Sequence, residues 1–123
     1  MSDRRYFVYM LQSLSRHALY IGLTNLLTAR VIEHRSGKYP GSFSAKYRTW
    51  RLVYYEEFSD AEAAWDRERQ VKGWSRAKKE ALMVTMNPHC RDLIAEWEEK
   101  YGIEFQLDGR IVAKMNWERN PLK

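Results

Sequence analysis

With 123 residues, 45% of them apolar, the chain can build one compact core and is too short for two. Its single cysteine, Cys90, excludes an internal disulfide, and no Cys/His spacing suggests zinc, which points to a reducing compartment. No apolar run approaches bilayer length, and the segment Met1-Ser2-Asp3-Arg4-Arg5-Tyr6 has no signal-peptide character, so a soluble cytoplasmic protein is expected.

The net charge of +5 is unevenly distributed. Residues 1–58 carry nine basic and four acidic residues, residues 59–88 six and five, and residues 89–123 six and seven. A positive surface confined to the first half favours an anionic polymer through attraction and counterion release. A mildly basic solvated surface would give the same numbers, so charge alone does not choose between them.

The run Tyr6-Phe7-Val8-Tyr9-Met10-Leu11 is aromatic, β-branched or apolar on both alternating faces, which is the pattern of a central strand buried on two sides. Residues 13–17 break it, and Ala18-Leu19-Tyr20-Ile21-Gly22-Leu23 forms a second strand. So short a connection requires the pair to be antiparallel, which allows Tyr9 and Tyr20 to be neighbours. Gly22, at the strand's end, permits a close approach by backbone or ligand. Thr24 or Asn25 can cap a helix running to about Arg35 and ended by Gly37, with Leu23, Leu27 and Val31 as its apolar stripe. Arg30 and His34, four apart, share a face beside that stripe. Residues 38–50 lack periodicity and read as a long loop, where Lys46, Arg48 and Arg51 with Tyr47 and Trp50 suit phosphate contact and base stacking.

A third strand covers Arg51–Phe58. Ser59-Asp60-Ala61-Glu62 has the form of a capping box with Ser59 as cap, opening a helix over about Asp60 to Lys72 that stops at Gly73. Its inward stripe is Ala61, Ala64, Trp65 and Val71, and Glu68 falls on it. A carboxylate in that place needs a cation, a metal or protonation; a salt bridge to Arg30 or Lys72 satisfies the requirement as well as a functional role does. Trp74 and Ser75 open a further helix, Arg76 to about Met86, in a basic neighbourhood that includes Lys72, Arg76, Lys78 and Lys79. Asn87-Pro88 ends it and can start the next, with Leu93, Trp97 and Tyr101 as the apolar face before Gly102. Residues 103–115 fit a hairpin turning at Asp108-Gly109.

Taken together, Tyr9, Tyr20, Arg30, His34 and Glu68 supply two phenols, a fixed cation, an imidazole and a carboxylate, a set suited to cleaving phosphodiesters. In that order and spacing they resemble the GIY-YIG nuclease superfamily, in particular its small single-domain bacterial members, over most of residues 5–93. Phe7-Val8-Tyr9 stands at the first tripeptide and Tyr20-Ile21-Gly22 matches the second in full. Arg30, His34 and Glu68 fall at the family's arginine, histidine and metal-binding glutamate positions, and the basic segment Lys72 to Lys79 follows as it does in the small relatives. Phe7-Val8 replaces Gly-Ile, Leu23 stands where the excision-repair branch has lysine, and Cys90 stands where many small relatives have tryptophan.

The resemblance implies an α+β fold with a small three-stranded antiparallel sheet flanked by helices. Residues 1–99 form the nuclease-like domain, and residues 100–123 are an extension of it without a counterpart. It also implies a magnesium- or manganese-supported endonuclease acting on nucleic acid, DNA ahead of RNA, with a role in repair or recombination. Tyr20, or less readily Tyr9, is then the general base. A phenol of ordinary acidity, near about 10, needs Arg30 and a cation to favour its anion. Arg30 also holds the non-bridging oxygens, His34 positions water or relays the proton, Glu68 holds the metal, and Lys46, Arg48, Lys72 and Arg76 hold flanking phosphates. Two other classes use the same scaffold without chemistry: a nucleic-acid binding module and a regulator of another protein.

Overall fold

In the computed structural model, which describes residues 4–13, 15–16, 18–36, 49–105 and 111–113, side-chain alternation along the first strand sets the architecture. Strand β1 (Tyr6–Ser13) lies between β2 (Leu19–Thr24) and β3 (Thr49–Phe58), antiparallel to both, so β2 is an edge. Its even-numbered residues Val8 and Met10 point to one face and Tyr9 and Leu11 to the other, and both sets are buried, as a two-sided central strand requires.

Helices cover each face. On the Tyr9 face, α1 (Leu27–Ser36) brings Leu27 and Val31, and α4 (Leu93–Tyr101) brings Ile94, against Tyr9, Leu11 and Leu52. On the Met10 face, α2 (Ala61–Lys72) brings Ala64 and Val71, and α3 (Arg76–Met86) brings Met83, against Val8, Met10, Ile21 and Val53. A small second sheet pairs β4 (Ile103–Phe105) with β5 (Ile111–Ala113). The fold is therefore α+β, with four helices around a three-stranded antiparallel sheet among the described residues.

One irregularity shapes the packing. Met10 is opposite Tyr54 while Leu11 is opposite Leu52, so Val53 is an extra residue on β3. A bulge leaves a backbone group without its ladder partner. The Val53 carbonyl, wholly buried, instead accepts from the Asn87 side-chain amide at 3.1 Å. The same amide donates to the Arg91 carbonyl at 2.8 Å, and its oxygen accepts from the Arg91 amide at 3.0 Å. Asn87 thus stitches the segment before α4 to the sheet and does not cap α4. That role falls to Asp92, whose carboxylate accepts from the Ile94 amide, and Gly102 ends the helix in the left-handed region, φ 61°.

Other local expectations also shift. Ser59 is not the cap of α2; Asp60 is, accepting from the Ala63 amide at 3.1 Å. Both residue types cap well, and the one immediately before the first helical residue took the position. Ala61 is exposed, and so is Trp65, at 62%, so the buried stripe is narrower than expected. Tyr101 likewise faces out, and Ile94 forms the inner face of α4 with Leu93 and Trp97. Helix α1 starts at Leu27, because Thr24 and Leu23 are still in β2; the Thr24 hydroxyl accepts from the Leu26 amide at 3.0 Å across the intervening turn. A two-residue turn at Asp108-Gly109 would set Phe105 opposite Val112, but Phe105 pairs with Ile111, so that turn does not set the register. Gly37, most of the expected 38–50 loop and the Asp108-Gly109 turn itself lie outside the described residues, whereas Thr49 and Trp50 belong to β3.

Candidate active site

The antiparallel register places Tyr9 opposite Gly22 and Tyr20 opposite Leu11, so the two tyrosines are diagonal neighbours on one face, with ring centroids 6.1 Å apart. Gly22 makes this geometry possible. A Cβ at that position would overlap the Tyr9 ring at its Cζ and hydroxyl, so the ring lies flat over the glycine and its hydroxyl reaches across the edge strand.

Tyr9 is 1% exposed, whereas Tyr20 is only partly buried. Burial pushes the Tyr9 phenol above its ordinary value. The neighbouring Tyr20 and Glu68 push the same way, and Arg30 opposes them. A side-chain hydrogen bond with Tyr20 also favours the neutral form of Tyr9, which is the effect expected when Tyr9 is the donor. Tyr20, Arg30 and Glu68 are therefore all close enough to act electrostatically on one buried hydroxyl.

Arg30 comes from the inner flank of α1. Its guanidinium is 3.5 Å from Glu33, one turn on, and its side chain remains 38% exposed. Together with Thr24, Asn25, Leu26, Ala29 and Glu33 it lines a cleft of about 120 Å³. Glu68 arrives from the other face of the sheet. Helix α2 packs beneath that face through Ala64 and Val71, but its C-terminal half also reaches the edge of the sheet, because Lys72 lines a groove with Leu19, Tyr20 and Ile21 of β2. The Glu68 side chain is largely enclosed, and its carboxylate is 3.5 Å from the Lys72 ammonium, four residues on. The ion-pair partner is thus Lys72. At 3.5 Å, with Lys72 half in solvent, such a pair adds little stability.

The nucleic-acid ligands expected from sequence fall differently. Lys46 and Arg48 lie outside the described residues. His34 belongs to α1, one turn beyond Arg30, but its side chain lies outside them too. Arg76 is engaged in the fold: its Nε donates to Glu80 at 2.7 Å and an Nη donates to the Arg16 carbonyl at 2.6 Å, tying the β1–β2 connection to α3. That explains why a basic residue stands there without requiring a phosphate. Lys79, on the next turn of the same helix, reaches the groove beside Tyr20.

Sequence reasoning also missed a second polar cluster, on the opposite face. Arg67 grips Glu56 with Nε at 3.0 and 3.2 Å and an Nη at 2.9 Å, while the Tyr54 hydroxyl donates to the same carboxylate at 2.5 Å. Burial alone would raise the Glu56 carboxyl, but the hydrogen bonds from Arg67 and Tyr54 and the Arg67 charge outweigh it and hold the group below its ordinary value. The Arg67 guanidinium also stacks 5.1 Å from the Trp74 ring, and Lys78 lies 4.4 Å from the same ring.

Among the described residues no group of three or more His, Cys, Asp or Glu side chains could hold a metal ion. The candidate donor is one largely enclosed carboxylate, Glu68, beside the half-exposed Lys72. This fits a hard divalent ion of the magnesium type, which keeps several waters and binds through one or two carboxylates and substrate phosphate.

Known proteins resemble about two thirds of the chain. Residues 5–81 match the GIY-YIG catalytic domain. A UPF0213 protein of Natronomonas pharaonis is 40% identical over 83 residues, covering 64% of this chain and 91% of its own. One from Syntrophus aciditrophicus is 37% identical over 82 residues, covering 67% and 92%. The solution NMR structure of a UPF0213 protein from Bacillus halodurans, 29% identical, covers 72% of this chain and 93% of its own with a TM-score of 0.47. Since the domain match spans both tripeptides, Arg30 and Glu68, the chain belongs to the GIY-YIG family, a family of nuclease-type domains acting on nucleic acid and generally using divalent metal ions.

Proposed function

We propose that this protein is a metal-dependent endonuclease that hydrolyses phosphodiester bonds, with DNA as the favoured substrate. The observation that supports the reading is the pairing of the Tyr9 and Tyr20 rings, 6.1 Å apart, with Arg30 and Glu68 close enough to act on the buried Tyr9 hydroxyl. A cytoplasmic enzyme of DNA repair or recombination is the setting we infer, from the basic first half of the chain and its single cysteine.

Tyr20 is the base. Tyr9 is ill suited to that role, because an almost wholly buried phenol held above its ordinary value keeps its proton at neutral pH. Its hydroxyl is instead a fixed donor to the Tyr20 oxygen, which it orients and supports as negative charge gathers there. Tyr20, only partly buried and on the groove wall, can meet a water molecule approaching from solvent. As the water oxygen bonds to phosphorus, its proton passes to Tyr20 in its phenolate form; the bond from phosphorus to the leaving ester oxygen breaks, and that oxygen takes up a proton from solvent water. Arg30, close enough to act on Tyr9, has a guanidinium that is always charged, and it stabilises the non-bridging oxygens as the phosphorus becomes five-coordinate. A divalent ion held by Glu68, Mg²⁺ or Mn²⁺, would supply positive charge at the phosphate and the leaving oxygen. His34, one turn beyond Arg30, is assigned the positioning of water, and Lys46, Arg48 and Lys72 the holding of flanking phosphates.

Incubation with end-labelled flap, nicked, duplex and single-stranded DNA, and with the RNA counterparts, tests the reading. Cleavage in Mg²⁺ or Mn²⁺ that EDTA abolishes is the expected result. Binding without cleavage of any substrate would make the protein a binding module on a nuclease scaffold.

A further inference from the structure

Beside the candidate site, the exposed edge of β2 carries a groove of about 240 Å³ lined by Leu19, Tyr20, Ile21, Lys72 and Lys79. Tyr20 lines the groove, and Lys72, which also lines it, lies 3.5 Å from Glu68, so the groove adjoins the candidate site. Lys79 is distinguished by what its neighbours do. Arg76 is engaged by Glu80 and the Arg16 carbonyl, and Lys78 lies over Trp74. The Lys79 side chain makes no ion pair or hydrogen bond among the described residues and is half-buried against the groove. Leu19 and Ile21, with Tyr20 and the two lysines also lining the groove, offer apolar surface for a base or sugar and positive charge for phosphates.

We propose that this groove is the track along which a polynucleotide reaches the site, with Lys72 and Lys79 holding the phosphates next to the one that is cleaved. The inference rests on the nuclease reading for the identity of the site, but its test does not. Lysines at a sheet edge also serve to block strand pairing and cover apolar surface with their stems, and a substitution that keeps the stem separates the two roles.

The experiment is fluorescence anisotropy of labelled DNA and RNA oligonucleotides with the full chain in EDTA, where turnover is blocked, repeated over a range of salt. For Lys79→Met, and for the pair Lys72→Met with Lys79→Met, the dissociation constant should rise about tenfold or more for whichever polymer the parent binds. The slope of log K against log salt should fall by roughly 0.7 to 0.9 per lysine removed. Lys79→Arg should restore both within about threefold, because charge is retained. Unchanged affinity and salt slope in the methionine variants would overturn the proposal, even if the parent protein cleaves. Displacement of the oligonucleotide by polyglutamate at equal charge concentration would also overturn it, by showing a site for acidic polypeptide. Lysine-dependent binding by a parent that cleaves nothing would uphold the groove and retire the nuclease reading.

Discussion

Two clusters in the molecule each combine tyrosine, arginine and glutamate, and they use them in opposite ways. On the Met10 face, Arg67 makes three hydrogen bonds to Glu56, Tyr54 adds a fourth, and Trp74 covers the guanidinium. The cluster is closed on itself. In the cluster around Tyr9, Tyr9 is buried, Tyr20 and Arg30 are partly exposed, Arg30 lies 3.5 Å from Glu33, and Glu68, carried by the helix on the other face, lies 3.5 Å from a half-exposed lysine. Residue type alone therefore does not make a site. The difference is whether charges are saturated by one another, which contributes to stability, or held near one another and open to a ligand, which leaves capacity for chemistry.

That comparison gives its sharpest contrast at the carboxylates. Glu68→Gln keeps shape but removes the anion, so metal-supported cleavage should fall at least about 100-fold with the melting temperature nearly unchanged. Loss of stability with activity retained would make Glu68 a structural partner of Lys72. Gly22→Ala should come next, because its methyl group would meet the Tyr9 ring. We expect a loss of about 1–3 kcal/mol in denaturant unfolding and impaired cleavage, whereas a neutral outcome would mean that the ring has room to move.

Across the sheet, Arg67→Ala strands a carboxylate that is about four-fifths enclosed, Glu56. It should cost roughly 2 kcal/mol of stability and leave cleavage per folded molecule within about twofold. A strong loss of activity in a stable variant would connect the two clusters and undo the contrast.

The pH dependence is the smallest effect and has opposite signs at its two ends. The folded-state value of Glu56 is depressed, so its contribution to stability is present above the unfolded value near 4.5 and is lost as pH falls through the folded value. Glu56→Gln should flatten that acid limb. The folded-state value of Tyr9 is raised, so its contribution is complete below the unfolded value of 10.0 and is lost above it, where the unfolded chain ionises first. Tyr9→Phe should reduce the alkaline loss but not abolish it, because Tyr54 is shifted in the same direction by burial and its Glu56 bond. Thermal melts from pH 3 to 11 read both limbs.

Much of this was legible in sequence because it is local. The two-sided pattern of β1, the short link to β2 and the phase that sets Glu68 with Ala64 and Val71 all follow from strand and helix periods. The errors came from competition between near-equivalent local choices, as at Ser59 and Asp60, or from over-wide stripes, as at Trp65. The Glu56–Arg67 grip was not legible, since it depends on how α2 lies across β3. Lys79 could have been found: Trp74 and Lys78 are four apart, as are Arg76 and Glu80, which leaves Lys79 without a partner in its own helix.

The most direct test of the central claim sets Tyr20→Phe beside Tyr54→Phe, measuring cleavage and melting temperature on the same preparations. Each removes one hydroxyl, the first from the open cluster and the second from the closed one. The account predicts that Tyr20→Phe abolishes metal-dependent cleavage with little change in melting temperature, while Tyr54→Phe lowers stability by about 1 kcal/mol and keeps cleavage. An active Tyr20→Phe enzyme would contradict it.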